Sequence, residues 1–387
     1  MTRKNTVVTA LESMLALQRW NFLPRVETWV EAENAAYVTH MGYAIGRACG
    51  LRVEELEVLL IRSLLKSLNK HYLTDISLPV REQLKAKNLK AWTGLVDAAA
   101  RKTAKLFPGS LGGELYGYLT DDPCYQIPGR PAEACVEVEN VIKFAQLRVA
   151  YEECATNQQV YSAEYAPIIA DLKKRMAQVP GHRKYAQVLA KHPEYFLRIK
   201  RLKHLRRWNR INRMVVSSVL GHVHLVAVLI VVLGRLSGDK TTKHFFYEAL
   251  LKGLFHDVPE SLTGDIITPV KAELARHDDG LLGEVETALT QDFTACAPSG
   301  VKEDLESYHL LREMDVRRQF SVDSLVKSCD RLALVLECVY EKSTGMQTAE
   351  IAAAYGQGRR ALMQSEWPAV REFMKQVAVR WRVARRI

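Results

Sequence analysis

The sequence predicts an all-α protein, on three observations. Leu, Ala, Glu, Lys and Arg are abundant, while the 387-residue chain has only 21 Gly and 13 Pro, fewer than a strand-and-turn protein of this size needs. Apolar residues fall near helical spacing in segments such as Phe246, Ala249, Leu250, Gly253 and Leu254. A content of 48% hydrophobic and 25% charged residues, with a mean hydropathy of −0.12, describes a globular chain with a large core. That length suits two domains of roughly 100 to 200 residues each.

In chain order, the amino terminus MTRKNTVVTALESMLALQRW reaches an acidic residue before any long apolar block, and no small-residue cleavage site follows. A cytoplasmic protein is expected. The most apolar stretch, Leu225 to Leu233, lies between His224 and Arg235 and is shorter than the ~20 residues a bilayer requires, so it reads as a buried core helix with no membrane role. Seven scattered cysteines without a CxxC pair point to buried thiols, not to a disulfide framework or a zinc ribbon. Gly-rich phosphate loops and GxSxG elbows are absent.

The chain also repeats itself. Arg19-Trp20-Asn21 returns as Arg207-Trp208-Asn209, at an offset of 188. TDISLPVREQL, from Thr74 to Leu84, parallels GDIITPVKAEL, from Gly264 to Leu274, at an offset of 190, which sets Asp75 on Asp265. A weaker match at 184 sets the segment ending at Cys154 on the one ending at Cys338, pairing Glu153 with Glu337. Three collinear matches imply a tandem duplication: a first domain over 8–180, a basic linker over 181–197 and a second domain over 198–387, the two packed as a pseudo-dimer. The run Arg198, Lys200, Arg201, Lys203, Arg206, Arg207 reads as a solvated helix face, with a nucleic-acid or phosphate strip as the alternative. The basic ending AVRWRVARRI has the same two readings.

Residues capable of chemistry concentrate in the second copy. His256-Asp257 ends an apolar helical pattern, His222 opens the apolar helix before Leu225, and Asp330 interrupts the apolar segment VKSCDRLALVLEC. A carboxylate in that setting is costly unless paired or bound to a metal, and groups on three helices can converge inside a bundle. Taken alone, an HD pair is equally a surface or capping feature. Glu260 follows one turn later, although Pro259 should kink or end that helix.

Here the segments RWNRINRMVVSSVLGHVHLVAVLI, LFHDVPESLTGDIITPVK and SLVKSCDRLALVLECVYE resemble the signature segments of the bacterial 5'-deoxynucleotidases of the HD-domain phosphohydrolase superfamily. The resemblance implies one divalent metal ion (Mn, Co, Zn, Ni or Fe) held by His222, His256, Asp257 and Asp330. It implies Glu260 as general acid/base, Asp265 as a second essential acid, and Arg207 and Trp208 as contacts to the phosphate and sugar of a nucleotide. The chain departs from the pattern at Gly221, where relatives usually carry a glutamate, and at Val223, where they carry a small polar residue. His224 is assigned to the core or to support of the ligands.

The first copy has Asn34, Lys66, Ser67, Lys70 and Gln146 at the positions of His222, His256, Asp257, Glu260 and Asp330, yet keeps Arg19, Trp20 and Asp75. Retention without ligands leaves Asp265 open between catalysis and structure, and the Arg-Trp pair likewise. His40 and His71 fall off the ligand positions and read as ordinary surface or partly buried histidines. The expected function is a metal-dependent phosphohydrolase releasing phosphate from deoxynucleoside 5'-monophosphates. The alternatives are a catalytically weak nucleotide-sensing or regulatory protein, and a nucleic-acid-binding protein suggested by the isoelectric point near 9.2.

Overall fold

The computed structural model describes residues 6–120, 132–238, 243–264, 268–278 and 280–384. Among them the chain is helical, and the β-structure is confined to two isolated bridges, Gln18 with Val30 and Arg206 with Ser218. The first half comprises α1 (Val7–Ala16), α2 (Glu31–Ala48), α3 (Val53–Lys66), α4 (Lys70–Leu73), α5 (Leu78–Lys87), α6 (Leu89–Ala104), α7 (Leu111–Leu119), α8 (Ala132–Gln158), α9 (Ser162–Ala177) and α10 (His182–Lys191). The second comprises α11 (Pro193–Arg201), α12 (Val219–Leu236), α13 (Lys243–Phe255), α14 (Glu260–Thr263), α15 (Thr268–His277), α16 (Leu281–Cys296), α17 (Ser299–Ser307), α18 (Val322–Ser343), α19 (Ala349–Met363) and α20 (Pro368–Val383).

Helix α12 is apolar around nearly its whole circumference, and a helix of that kind must be surrounded. It is the one described helix long and apolar enough to cross a membrane by length and composition, and 89% of it is buried inside the protein. The Ser218 hydroxyl caps it by accepting from the Gly221 N–H at 3.1 Å. Helix α2 packs along α12, α18 flanks it on another side, and α13 on a third. At Gly253 a Cβ would run into the end of the Ile230 side chain, so any larger residue there would oblige that side chain to move where α13 lies against α12. The apolar core runs without interruption from Val7 in α1 to Val377 in α20, drawing on both halves.

Polar contacts also cross between the halves. Arg47 on α2 grips Asp304 on α17 through two hydrogen bonds of 2.7 and 2.9 Å, and Tyr43 donates to the same carboxylate. Lys203 pairs with Glu27 at 3.0 Å, Arg235 with Glu57 at 2.9 Å, and Arg380 with Glu12.

Three expectations change. Residues 181–197, expected as a basic linker, fall largely in α10 and the start of α11, because Tyr185, Val188, Leu189, Tyr195 and Phe196 form a buried apolar stripe behind the basic face. The basic ending is docked as far as it is described, to Ala384: Trp381 stacks on Tyr355 with ring centroids 3.8 Å apart, and the Lys342 ammonium lies over the indole. His40 is fully buried, edge-on to Phe255, with neither ring nitrogen hydrogen-bonded.

Burial pushes the His40 pKa down from 6.5 to about 3. As the pH falls below 6.5 the unfolded chain takes up a proton that the folded chain refuses, so stability is lost with falling pH through that window. Between pH 7 and pH 5 this group alone should account for about 2 kcal/mol. His40→Met, followed by urea unfolding at both pH values, should shrink the stability difference by about that amount. An unchanged difference would show that His40 does not set it.

Candidate metal centre

Three elements bring the predicted ligands together. Helix α12 carries His222 one turn beyond its Ser218 cap, and the His222 N–H continues the helix by donating to the Ser218 carbonyl at 3.0 Å. Helix α13 ends at Phe255, and the backbone then tightens, with Val258 N–H donating to Phe255 and Glu260 N–H to Asp257 at 3.0 and 3.1 Å. His256 and Asp257 therefore lie in a turn beyond the helix and not on the helix expected for them. Pro259 caps the short α14, which opens with Glu260. Helix α18 presents Asp330 and, two turns further on, Glu337.

One ligand atom from each of His222, His256 and Asp330 lies within 4.8 Å of the others, a spacing that could hold a metal ion. The His222 Nε2 is 3.1 Å from Asp330 Oδ1 and 4.0 Å from Asp257 Oδ2, and His256 Nε2 is 3.1 Å from Asp257 Oδ1. Asp257 thus stands at the edge of the cluster. Its Oδ2 is buried without a hydrogen bond on the side of the His222 imidazole, which suits an oxygen turned toward a cation position. Two imidazoles and two carboxylates fit a divalent ion.

The charges in the centre are strongly coupled. Burial and the Arg207 guanidinium oppose a charge on His222, but the carboxylates of Asp330 and Glu337 prevail and lift its pKa to about 9. Burial would raise the Asp330 pKa, yet contact with His222 and the nearby Lys327 ammonium holds it well below the usual carboxylate range. Lys327 donates to Asp330 Oδ2 at 2.9 Å.

Behind the ligands lies a residue that motif reading did not single out, Glu337. Its carboxylate accepts the Trp208 indole N–H at 2.6 Å, lies 3.2 Å from Arg207 Nε and 3.7 Å from Arg213, and meets His222 Nδ1 at 3.2 Å. Burial would raise its pKa, and these cations hold it far below the usual range. One turn later Glu341 accepts the backbone N–H groups of Met214 and Val215 and pairs with Arg213 at 3.2 Å. The loop from Arg206 to Ser218 is thus hung from two buried acids of α18. A signal for Glu337 was its pairing with Glu153 in the repeat.

The remaining predicted residues are placed as follows. Arg207 spends its Nε on Glu337 and brings Nη1 to 3.9 Å from Asp257, so it borders the ligand cluster. Trp208 holds a left-handed backbone, φ 59°, and its N–H is committed to Glu337, leaving the ring and not the N–H available to a partner. Glu260 is partly buried and close enough to Arg207 to influence its charge. Asp265 lies outside the described residues. His224 is buried with both ring nitrogens lacking hydrogen bonds, and burial lowers its pKa to about 4. It stands apart from the cluster.

The first half repeats the supporting contacts without the ligands. Glu153 accepts from Arg19 Nε at 2.9 Å, from the Trp20 indole at 2.6 Å, and from Asn34, which takes the place of His222, at 2.8 Å. Trp20 is also left-handed, φ 54°, and its backbone N–H donates to Asp75 at 2.9 Å. Lys70, in place of Glu260, is paired with Glu31 at 2.6 Å.

The family described as YfbR-like 5'-deoxynucleotidases matches residues 194–380. A 5'-deoxynucleotidase of Shewanella oneidensis is 28% identical over 183 residues, covering 46% of this chain and 89% of that protein. One from Vibrio atlanticus is 26% identical over 166 residues, covering 42% and 81%. An HD-domain phosphohydrolase of Listeria innocua, known as a crystal structure, shares 21% identity at a TM-score of 0.41 over 49% of this chain and 89% of its own. Residues 194–380 thus resemble the 5'-deoxynucleotidases.

Glu337→Gln keeps the shape of the side chain but removes the charge that orients His222 through Nδ1. Affinity for added Mn²⁺ should fall roughly 10- to 100-fold with the helical circular dichroism unchanged. Unaltered affinity would separate Glu337 from the centre.

Proposed function

We propose that the second half is a metal-dependent phosphohydrolase acting on nucleotides, releasing phosphate from deoxynucleoside 5'-monophosphates. The observation that carries this reading is the convergence of His222, His256 and Asp330, with Asp257 beside them and a guanidinium at their edge. When bound, a divalent ion there supplies charge neutralisation for phosphoryl oxygens and a lowered pKa for an attacking water. Glu260 is assigned to take a proton from that water and return one to the departing 5'-oxygen as the ester P–O bond breaks. Arg207 meets the phosphate with positive charge, and the ring of Trp208 packs against the sugar. Asp265 is assigned as a second acid on the strength of the resemblance.

We also propose that the chain is a duplicated pair packed as a pseudo-dimer. Supporting this, the bridges Gln18–Val30 and Arg206–Ser218 and the clasps around Glu153 and Glu337 recur at the repeat offsets, and α2 lies along its counterpart α12. A weaker catalyst is the second reading, and Gly221 favours it. The glutamate expected at that position stands instead in the first half, as Glu33, where it accepts from the Ser218 hydroxyl at 2.7 Å across the interface. Nucleic-acid binding is not favoured, because Arg198, Lys203 and Arg207 are paired with acids of the chain itself.

Purified full-length chain with Mn²⁺ or Co²⁺ should release phosphate from deoxynucleoside 5'-monophosphates. Glu260→Gln should lower the rate at least about 100-fold with metal content unchanged, as expected for a proton-transfer group. His256→Ala with Asp257→Ala should remove the metal as well. Failure of the wild type to hydrolyse any nucleotide with any of the five metals would sink the enzymatic reading.

The isolated second half, from about residue 195, exposes the face of α12 that α2 covers. Light scattering should find it self-associated or aggregated. A stable, active monomer would defeat the pseudo-dimer.

A further inference from the structure

We infer that the first half contains a second ligand site, a metal-free pocket for an organic phosphate built where the second half has its candidate metal centre. The nucleoside part of the ligand rests on the function proposed above, and the anion does not.

A cavity of about 1040 Å³ opens in the first half. That is at the upper end of the size expected for small-molecule sites. Its walls include Asn34, Lys66, Ser67, Lys70 and Gln146, so the positions matching His222, His256, Asp257, Glu260 and Asp330 all border one space, with Arg19 beside them. The residue types there have changed in one direction. Both imidazoles and both carboxylates of the ligand set are gone, and lysines stand at the positions of His256 and Glu260. Hydrolysis by the proposed route needs the missing groups, whereas anion binding does not.

Charge and lining point to the ligand class. Eight lysines and arginines line the cavity against five acids. Arg19 and Lys70 are paired with Glu31, and Arg81, Lys85 and Arg175 with Glu82, while Lys143 and Lys174 stand exposed on the wall. The indoles of Trp20 and Trp92 add aromatic surface that inorganic phosphate would not use. A phosphomonoester carrying a ring system matches both features. A half retained for packing alone has no need of an open cavity lined in this way.

The test uses the full chain carrying His256→Ala and Asp257→Ala, in EDTA, so that the second half cannot bind through a metal and turnover plays no part. Calorimetry with deoxyadenosine 5'-monophosphate should show one site per chain, weakened by added salt. Deoxyadenosine and inorganic phosphate should each bind at least tenfold more weakly. Adding Lys143→Glu, a change at an exposed position that leaves folding intact, or Lys66→Met should weaken the nucleotide about tenfold. Adding Lys327→Met, at the position of the second half that matches Lys143, should leave it unchanged. The inference is overturned by absence of saturable binding, by indifference to both lysine substitutions, or by loss of binding with Lys327→Met. Phosphate binding as tightly as the nucleotide overturns the assigned ligand class. Because this experiment reads binding in a chain without its metal centre, a failure of hydrolysis in the wild type leaves its outcome untouched.

Discussion

A buried carboxylate on the long helix of each half organises everything around it. Glu337 and Glu153 sit where water cannot reach, and an isolated charge there would be prohibitively costly. Each is stabilised by the same set of donors: an arginine, the indole N–H of the next residue, and the side chain that opens the adjoining core helix. To deliver the indole, the tryptophan adopts a left-handed backbone that a bulky residue ordinarily avoids. The loop conformation, the start of the core helix and the orientation of His222 all follow from satisfying one negative charge.

This explains why the Arg-Trp pair survives in a half that has lost every ligand. Motif reading could not apportion that pair between fold and chemistry, since both roles demand the same residues. The structure shows that its hydrogen-bonding capacity is largely committed inward, leaving one guanidinium edge near Asp257 and the indole ring for anything outside. The role of Glu337 was hidden for a related reason. The repeat paired it with Glu153, but the partners that show what a buried acid does lie more than a hundred residues away.

The helical class and the repeat were legible because periodicity and spacing record them directly, whereas His222, His256 and Asp330 were joined only by the resemblance of their segments to a known family. The segment between the halves was not legible. Its many lysines and arginines suggested a solvated linker, while the buried stripe of Tyr185, Leu189, Tyr195 and Phe196 was hidden among them. The turn carrying His256 and Asp257 was legible only in part: Pro259 announced the break, but not that α13 stops before the histidine. His40 was misread because nothing in its local sequence shows that Phe255 from the other half will cover it.

The hydrogen bond from Ser218 to Glu33 ties the candidate centre to residues far from it in the chain. The serine caps the helix that bears His222, and the acid it leans on belongs to the half without the ligand set. Glycine at 221 leaves the second half with no acid at the position matching Glu33, so the contact is made across the interface. A substitution confined to Glu33 would therefore be felt at the start of the helix that carries His222, and the first half is a determinant of a centre to which it lends no ligand.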